Sequence, residues 1–402
     1  VTSNSWEYTG DGQALALEAG AELIDLEFVQ FHPTGMVWPP GVMGLLVTEG
    51  VRGEGGILRN SQDDRFMWKY LPEARRQEYA ADEAEARRWV EAAVESRQSQ
   101  DRRPPELSTR DNVSRAIYTE VREGRGSPHG GVFLDISYLP AERVKKKLPS
   151  MYHQFLELAD VDITKTPMEV GPTMHYFMGG IRVDADTGAA TVPGLFAAGE
   201  VSAGMHGANR LGGNSLSDLL VFGRRAGMGA AQYAKTLSAM PRVADSELAA
   251  ESRALLEPFD RTEGESPYDV HRDLTQCMDR YVGIFRVEED LEMGLRELAR
   301  LRDRARRVRM EGSRVYNPGW HLARDLRNMI AVSEGITRCA QMRKESRGAH
   351  SRLDHPNPSA ELGKVNFCVT QRGDEIDVKP TPLPTMPAEL QALFEPAQEA
   401  VR

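Results

Sequence analysis

Cysteine is scarce: the chain has three in 402 residues, Cys277, Cys339 and Cys368, and no C-x-x-C pair. That leaves neither a disulfide framework nor an iron–sulfur or zinc knuckle, and it points to a reducing compartment. Long apolar runs are also missing. None approaches the roughly 18–20 residues of a membrane span, so any membrane association is expected through a partner. No secretory leader is visible. Positive charge is in deficit, with 50 Lys and Arg against 60 Asp and Glu and a net charge of −10. This balance argues against nucleic acid as a partner. It leaves room for an anionic substrate, because a site needs only local positive charge. The chain also lacks an initiating methionine. It opens on Val1, and Val1–Gly12 reads like the interior of a domain, so a fragment or cleaved product is expected.

What is present is a globular composition, 40% hydrophobic and 27% charged, long enough for two or three domains. Asp11–Glu18 reads as a short helix. Ile24–Phe31 reads as a strand that Pro33 should end. A glycine-rich stretch, Gly41–Gly56, provides backbone that can approach a ligand closely. Glu73–Arg103, dense in both charge signs, reads as a solvated helical excursion. Asp111–Glu123 is predicted as a helix capped by Asp111 with Val113, Ile117 and Val121 inward. Val132–Ser137 and Leu195–Ala198 are predicted strands. Asn214–Tyr233 is a predicted helix with a capping-box-like start at Ser215 and Asp218. In the last third, Leu291, Leu295, Leu298, Leu301, Ala305 and Val308 form one apolar stripe. Asn317-Pro318 opens a further helix that buries Leu322, Leu326, Met329, Ile330, Val332 and Ile336. The proline-richer tail beyond Pro356 is expected over the surface.

Several histidines, arginines and a threonine sit near glycine: His32, Thr48, Arg52, Arg110, His175, His206 and Arg210. A single histidine is usually structural, and a single arginine is usually a surface ion pair. Loops of small residues at strand and helix ends are where function tends to sit. Two arginines and two histidines converging on one cleft would suit a dicarboxylate, since Arg grips carboxylate through two parallel bonds.

Gln30–Gly35 (QFHPTG), Thr48–Gly56 (TEGVRGEGG), Thr109–Ile117 (TRDNVSRAI) and His175–Ile181 (HYFMGGI) occur in that order. Val192–Gly227 follows, with PGLFAAGE, HGANRLGGNSL and DLLVFGRRAG, and then Glu345–Arg352 (ESRGAHSR) and KPTPLPTMP. Together these strings resemble the flavoprotein subunit of succinate dehydrogenase and fumarate reductase over nearly the whole chain.

The resemblance implies an α+β multidomain fold: the remainder of a Rossmann-like FAD-binding domain, an inserted capping domain and a C-terminal helical domain. It divides the chain at 1–25 (end of the first FAD-domain segment), 26–174 (capping domain), 175–230 (second FAD-domain segment), 231–345 (helical domain) and 346–402 (C-terminal segment). It implies FAD-dependent interconversion of succinate and fumarate. His32 and Thr48 would hold one carboxylate, and His175 and Arg210 the other. Arg110 would exchange the substrate proton, with Glu49 and Arg52 as its path to solvent. Glu200 would contact a ribose hydroxyl of FAD, and Ser215 and Leu216 the N1–O2 edge of the flavin. No metal ligand set is expected. The strand–GxGxxG–helix cradle for the FAD pyrophosphate and the histidine that attaches FAD covalently are not among these strings. Gly124-x-Gly126 follows a predicted helix and does not replace the cradle.

The implied partners are an iron–sulfur subunit which in turn meets a quinone-reducing membrane anchor. The implied location is peripheral, on the cytoplasmic side of a bacterial plasma membrane. Rival readings are an L-aspartate oxidase-like flavoenzyme, disfavoured by GGNSLSDLLVF and TEGVRGEGG, and a non-catalytic fragment.

Overall fold

The computed structural model describes residues 1–95 and 97–393. The part of the 346–402 segment beyond 393 lies outside them. In chain order the helices are α1 (Asp11–Glu18), α2 (Gly50–Gly53), α3 (Glu83–Val94), α4 (Arg110–Arg122), α5 (Ala141–Lys147), α6 (Pro149–Ala159), α7 (Asn214–Thr236), α8 (Asp245–Asp260), α9 (Pro267–Tyr281), α10 (Glu288–Ala305), α11 (Pro318–Met342) and α12 (Ala388–Gln391). The strands are β1 (Leu23–Ile24), β2 (Val29–Met36), β3 (Ile57–Arg59), β4 (Val132–Asp135), β5 (Met168–Phe177), β6 (Gly180–Ile181), β7 (Val365–Arg372) and β8 (Glu375–Pro382). They form two four-stranded antiparallel sheets, ordered β2-β5-β4-β3 and β6-β1-β7-β8. This is the expected α+β fold.

Each sheet has its own core. Under the first sheet, Met36, Leu58, Leu134 and Val170 pack with Val113 and Ile117 from the inner stripe of α4. Against the second, Leu17 of α1 and Cys339 of α11 pack on Leu23, Phe367 and Val369. A third core lies among α9, α10 and α11, where Val270, Leu274, Leu298, Leu301, Leu326 and Ile330 meet. The leucine stripe of the last third is therefore core, as its spacing predicts.

Several local expectations are corrected. Pro33 does not end its strand: β2 runs on to Met36, and the pairing with β5 shifts register between His32 and Gly35. A bulge there leaves no ladder bond for proline to break. Asp111 does not cap α4. The helix begins at Arg110 after Thr109, and Asp111 pairs instead with Arg115 at 2.7 Å. Ser215 does not cap α7, which starts after Gly213 in a left-handed conformation, φ 84°. Leu195–Ala198 is no strand and forms only a bridge from Phe196 to Ala189. The proline-richer tail is not merely superficial, because β7 pairs with β1 and buries Phe367 and Val369.

One charged cluster joins distant parts of the chain. Arg343, 1% exposed, contacts Glu27 and reaches Asp25 at 3.2 Å and Glu345 at 3.0 Å. Its guanidinium lies 4.8 Å from the ring centre of Phe28 and 4.6 Å from that of Phe367. Burial pushes the Glu27 carboxyl up to about 7, against the pull of Arg343.

Candidate functional site

The bulge in β2 places Gln30 and His32 at the edge shared with β5, where His175 stands. The two imidazole centroids are 5.2 Å apart. His32 is 1% exposed and donates from Nε2 to the Val47 carbonyl oxygen at 3.0 Å. Its Nδ1 has no hydrogen-bond partner among the described residues. His175 Nδ1 meets the Ser3 hydroxyl at 2.9 Å. Burial drives the imidazolium of His32 well below its ordinary pKa, with Arg52 and Arg110 adding to the effect. Burial, then Arg110 and Arg210, lowers His175 to about 4. Both rings therefore favour the neutral form, and a carboxylate at His32 Nδ1 would have to stabilise the imidazolium, whose second N–H then becomes a donor to it.

Arg110 projects from the first turn of α4. Its Nε donates to Glu49 Oε2 at 2.9 Å and its Nη1 to Gln30 Oε1 at 3.3 Å. Its partner is thus Glu49 and not the adjacent Asp111. Glu49 also faces Arg52 at 3.8 Å. Partial burial pushes the Glu49 carboxyl up, but Arg52 and Arg110 prevail and hold it below its ordinary value. Arg52 is 1% exposed, and burial brings it down to about 10. Gly212 closes this corner: a Cβ there would stand 3.1 Å from Arg110 Nη2 and 3.5 Å from Glu49 Oε2. Thr48 lies beside Glu49, its hydroxyl accepting from the Gly50 amide at 3.3 Å.

Arg210 comes from the loop before α7 and is 4% exposed. It donates to Gln30 Oε1 at 3.0 Å and to the Ser215 hydroxyl at 3.2 Å, and it lies 4.1 Å from the ring centre of Tyr176. Burial, then Arg110, lowers its pKa. His206 lies 3.5 Å from Asp218 and edge-on to Tyr176, the ring that Arg210 also meets.

Arg110, Arg210, His32 and His175 therefore meet around Gln30, with Glu49 and Arg52 behind Arg110. The sequence reading singled out all of these except Gln30. It also missed Asn209, Tyr176 and Ser3. Gln30, Asn209 and Tyr176 stand inside the quoted strings QFHPTG, HGANR and HYFMGGI, which was the available signal. For Ser3 there was none. A separate cavity of about 420 Å³ lies among α1, α8, α10 and α11 and contains none of these groups.

The residues assigned to FAD fit a flavin. No side chain caps the start of α7; the Asn214 amide donates to the Leu211 carbonyl at 3.3 Å and the Leu216 amide to that of Gly213 at 3.1 Å, and the positive pole of this 23-residue helix suits an electron-rich ring edge. Beside them Leu216 is 67%, Leu219 53% and Leu220 78% exposed, an apolar face suited to a planar ring. Glu200 accepts from the Phe177 amide at 2.9 Å, and its carboxyl is raised by burial.

A family model described as the FAD binding domain matches residues 1–216, and one described as the fumarate reductase flavoprotein C-terminal region matches 271–399. A fumarate reductase (CoM/CoB) polypeptide of Methanothermobacter marburgensis is 44% identical over 361 residues, 90% of this chain and 59% of that protein. The fumarate reductase flavoprotein subunit of Escherichia coli is 36% identical over 400 residues, 95% of this chain and 62% of its own. The structure of Mycobacterium smegmatis Sdh1 in complex with UQ1 superposes with a TM-score of 0.82 at 50% identity, covering 100% of this chain and 62% of that one. The chain thus spans about three fifths of the relatives it matches. By motif order, site geometry and these matches, it belongs to the FAD-dependent flavoprotein family of succinate dehydrogenases and fumarate reductases.

Proposed function

We propose that this chain carries the substrate half of an enzyme that interconverts succinate and fumarate. FAD, when bound, supplies the redox chemistry by exchanging a hydride with the substrate at flavin N5. His32 and Thr48 hold one carboxylate, and His175 and Arg210 hold the other. Clamping both ends fixes the central carbon–carbon bond, which is the orientation contribution to catalysis. Their donors also stabilise the enolate-like charge that builds on a carboxylate during reaction. Arg110 moves the proton on or off the neighbouring carbon. A guanidinium is normally never deprotonated, so it must give up its proton only transiently and recover it from Glu49, with Arg52 continuing the path. Glu200, Ser215 and Leu216 hold the cofactor.

The observation that carries this reading is the meeting of Arg110 and Arg210 on one side-chain oxygen, with Glu49 2.9 Å behind Arg110. We read 26–174 as a capping domain between FAD-domain segments 1–25 and 175–230, followed by a helical domain at 231–345 and a C-terminal segment from 346. An iron–sulfur subunit is proposed to take the electrons onward to quinone in a membrane anchor, with this chain peripheral on the cytoplasmic side. Among the described residues no helix is long and apolar enough to cross a membrane, which agrees with attachment through partners.

The test is anaerobic addition of succinate to the FAD-loaded full-length polypeptide. Bleaching of the flavin band that fumarate reverses is expected. Bleaching by L-aspartate alone would favour the oxidase, and no bleaching by either a non-catalytic role.

A further inference from the structure

Gln30 is fully buried, with 0% exposure, and uses both ends of its amide. Its Nε2 donates to Asn209 Oδ1 and to the Arg210 carbonyl oxygen, each at 2.7 Å. Its Oε1 accepts from Arg210 Nη2 at 3.0 Å and Arg110 Nη1 at 3.3 Å. This fixes the orientation of the amide. Turning it over would set NH2 against two guanidinium groups and oxygen against two acceptors, losing all four contacts. Asn209 in turn donates to Asp111 Oδ1 at 2.9 Å. A buried amide, Gln30, and a half-buried one, Asn209, therefore tie the first turn of α4, which carries Arg110, to the loop that carries Arg210.

We propose that Gln30 is a positioning residue that holds Arg110 and Arg210 in register across the substrate cleft while leaving their joint positive charge free for a dicarboxylate. This rests on the succinate–fumarate reading above. Two guanidinium groups drawn together in a poorly solvated site repel each other, and burial together with Arg110 lowers the tendency of Arg210 to stay charged. A carboxylate at position 30 would relieve that repulsion but cancel charge needed by the substrate. A neutral amide oxygen supplies the shared acceptor and keeps the charge. An apolar side chain would supply neither, and both arginines would be free to swing.

The test uses the FAD-loaded full-length polypeptide with two variants. Gln30→Met keeps length and removes every hydrogen bond. Gln30→Glu keeps the acceptor but adds negative charge and removes the donor. Binding of malonate, a dicarboxylate that is not oxidised, is read from the flavin spectrum, alongside succinate turnover and flavin content. Gln30→Met is expected to weaken malonate binding about tenfold, the size of one charged hydrogen bond, and to lower turnover further. Gln30→Glu should weaken malonate binding more than Gln30→Met does.

In an Arg110→Lys background, Gln30→Met should still weaken malonate binding but scarcely change the residual turnover, since the group it positions for proton transfer is already gone. Additive turnover losses, or malonate binding unchanged in Gln30→Met, would overturn the proposal. So would tighter binding in Gln30→Glu than in Gln30→Met. If the parent protein itself neither binds malonate nor oxidises succinate, the functional reading fails first and takes this inference with it. A parent that does both, with Gln30 variants like it, sinks the inference alone.

Discussion

In the proposed reaction Arg110 would face the hardest chemical demand in the cleft, since its proton would leave and return within a turnover. Replacing it with lysine keeps the charge but loses the planar fork that touches Glu49 and Gln30 together. Arg110→Lys in the FAD-loaded full-length protein is expected to cut succinate turnover by about two orders of magnitude or more. Malonate affinity should stay near that of the parent, the pattern of a contact used only in the transition state. Steady-state turnover and flavin-monitored binding on the same preparation check it. Arg210→Ala should show the reverse emphasis. It removes the proposed carboxylate contact and should weaken malonate binding by about 2–4 kcal/mol while flavin content holds, as absorbance titration would read. At this scale the polar groups of the site were legible because motif strings name residue types directly. Their partners were not. Nothing local indicates that Arg110 turns toward Glu49, 61 residues away, rather than toward Asp111 beside it, because that choice is made by the packing of α4 on β2.

At the scale of elements, helices were read more accurately than strands. A leucine stripe or an Asn-Pro start is local information, and α11 begins where that pair places it. Asn317 accepts the Trp320 amide at 3.2 Å, and its Nδ2 donates to the carbonyls of Glu311 and Ser313 at 3.0 and 2.8 Å. Asn317→Ala should therefore cost about 1–2 kcal/mol, toward the upper end for a cap, measurable as a lower denaturation midpoint with unchanged slope. The strand errors have a different origin. Pairing of β7 with β1 joins Val369 to Leu23, and no window of sequence contains both partners. Pro33 read as a terminator because a bulge is set by the neighbouring strand, not by the residue itself. The start of α7 read as a capping box for a similar reason. Ser215 and Asp218 have the spacing, but the cap position falls on Gly213, two residues before Ser215, which lies inside the helix.

For the molecule as a whole, Arg343 ties the segment around Asp25 and Glu27 to the C-terminal region. Removing it would leave buried carboxylates without their cation. Arg343→Met is expected to lower stability by about 3–5 kcal/mol, the cost of breaking a buried pair from one side, as equilibrium denaturation would show. Glu27 gives the same region a pH dependence. Burial raises its carboxyl from 4.5 to about 7 in the folded chain, so the fold binds that proton more tightly than the unfolded chain does. Its contribution is complete below about pH 4.5 and declines as pH rises through about 7. Melting temperature measured from pH 5 to 8 should carry this downward component, and Glu27→Gln should remove it.

The same arginine has a consequence for how the protein comes into being. Its carboxylate partners at 25 and 27 are made more than three hundred residues before it, and the strand that completes the second sheet is made later still. During synthesis the early segment must wait, with its carboxyls solvated and β1 lacking its β7 neighbour, until nearly the whole described chain has left the ribosome. Contacts of such long sequence separation form slowly and leave strand edges exposed meanwhile. Closure around Arg343 is therefore a late step of folding, and until it is complete the unpaired edge of β1 is open to aggregation and to chaperone binding.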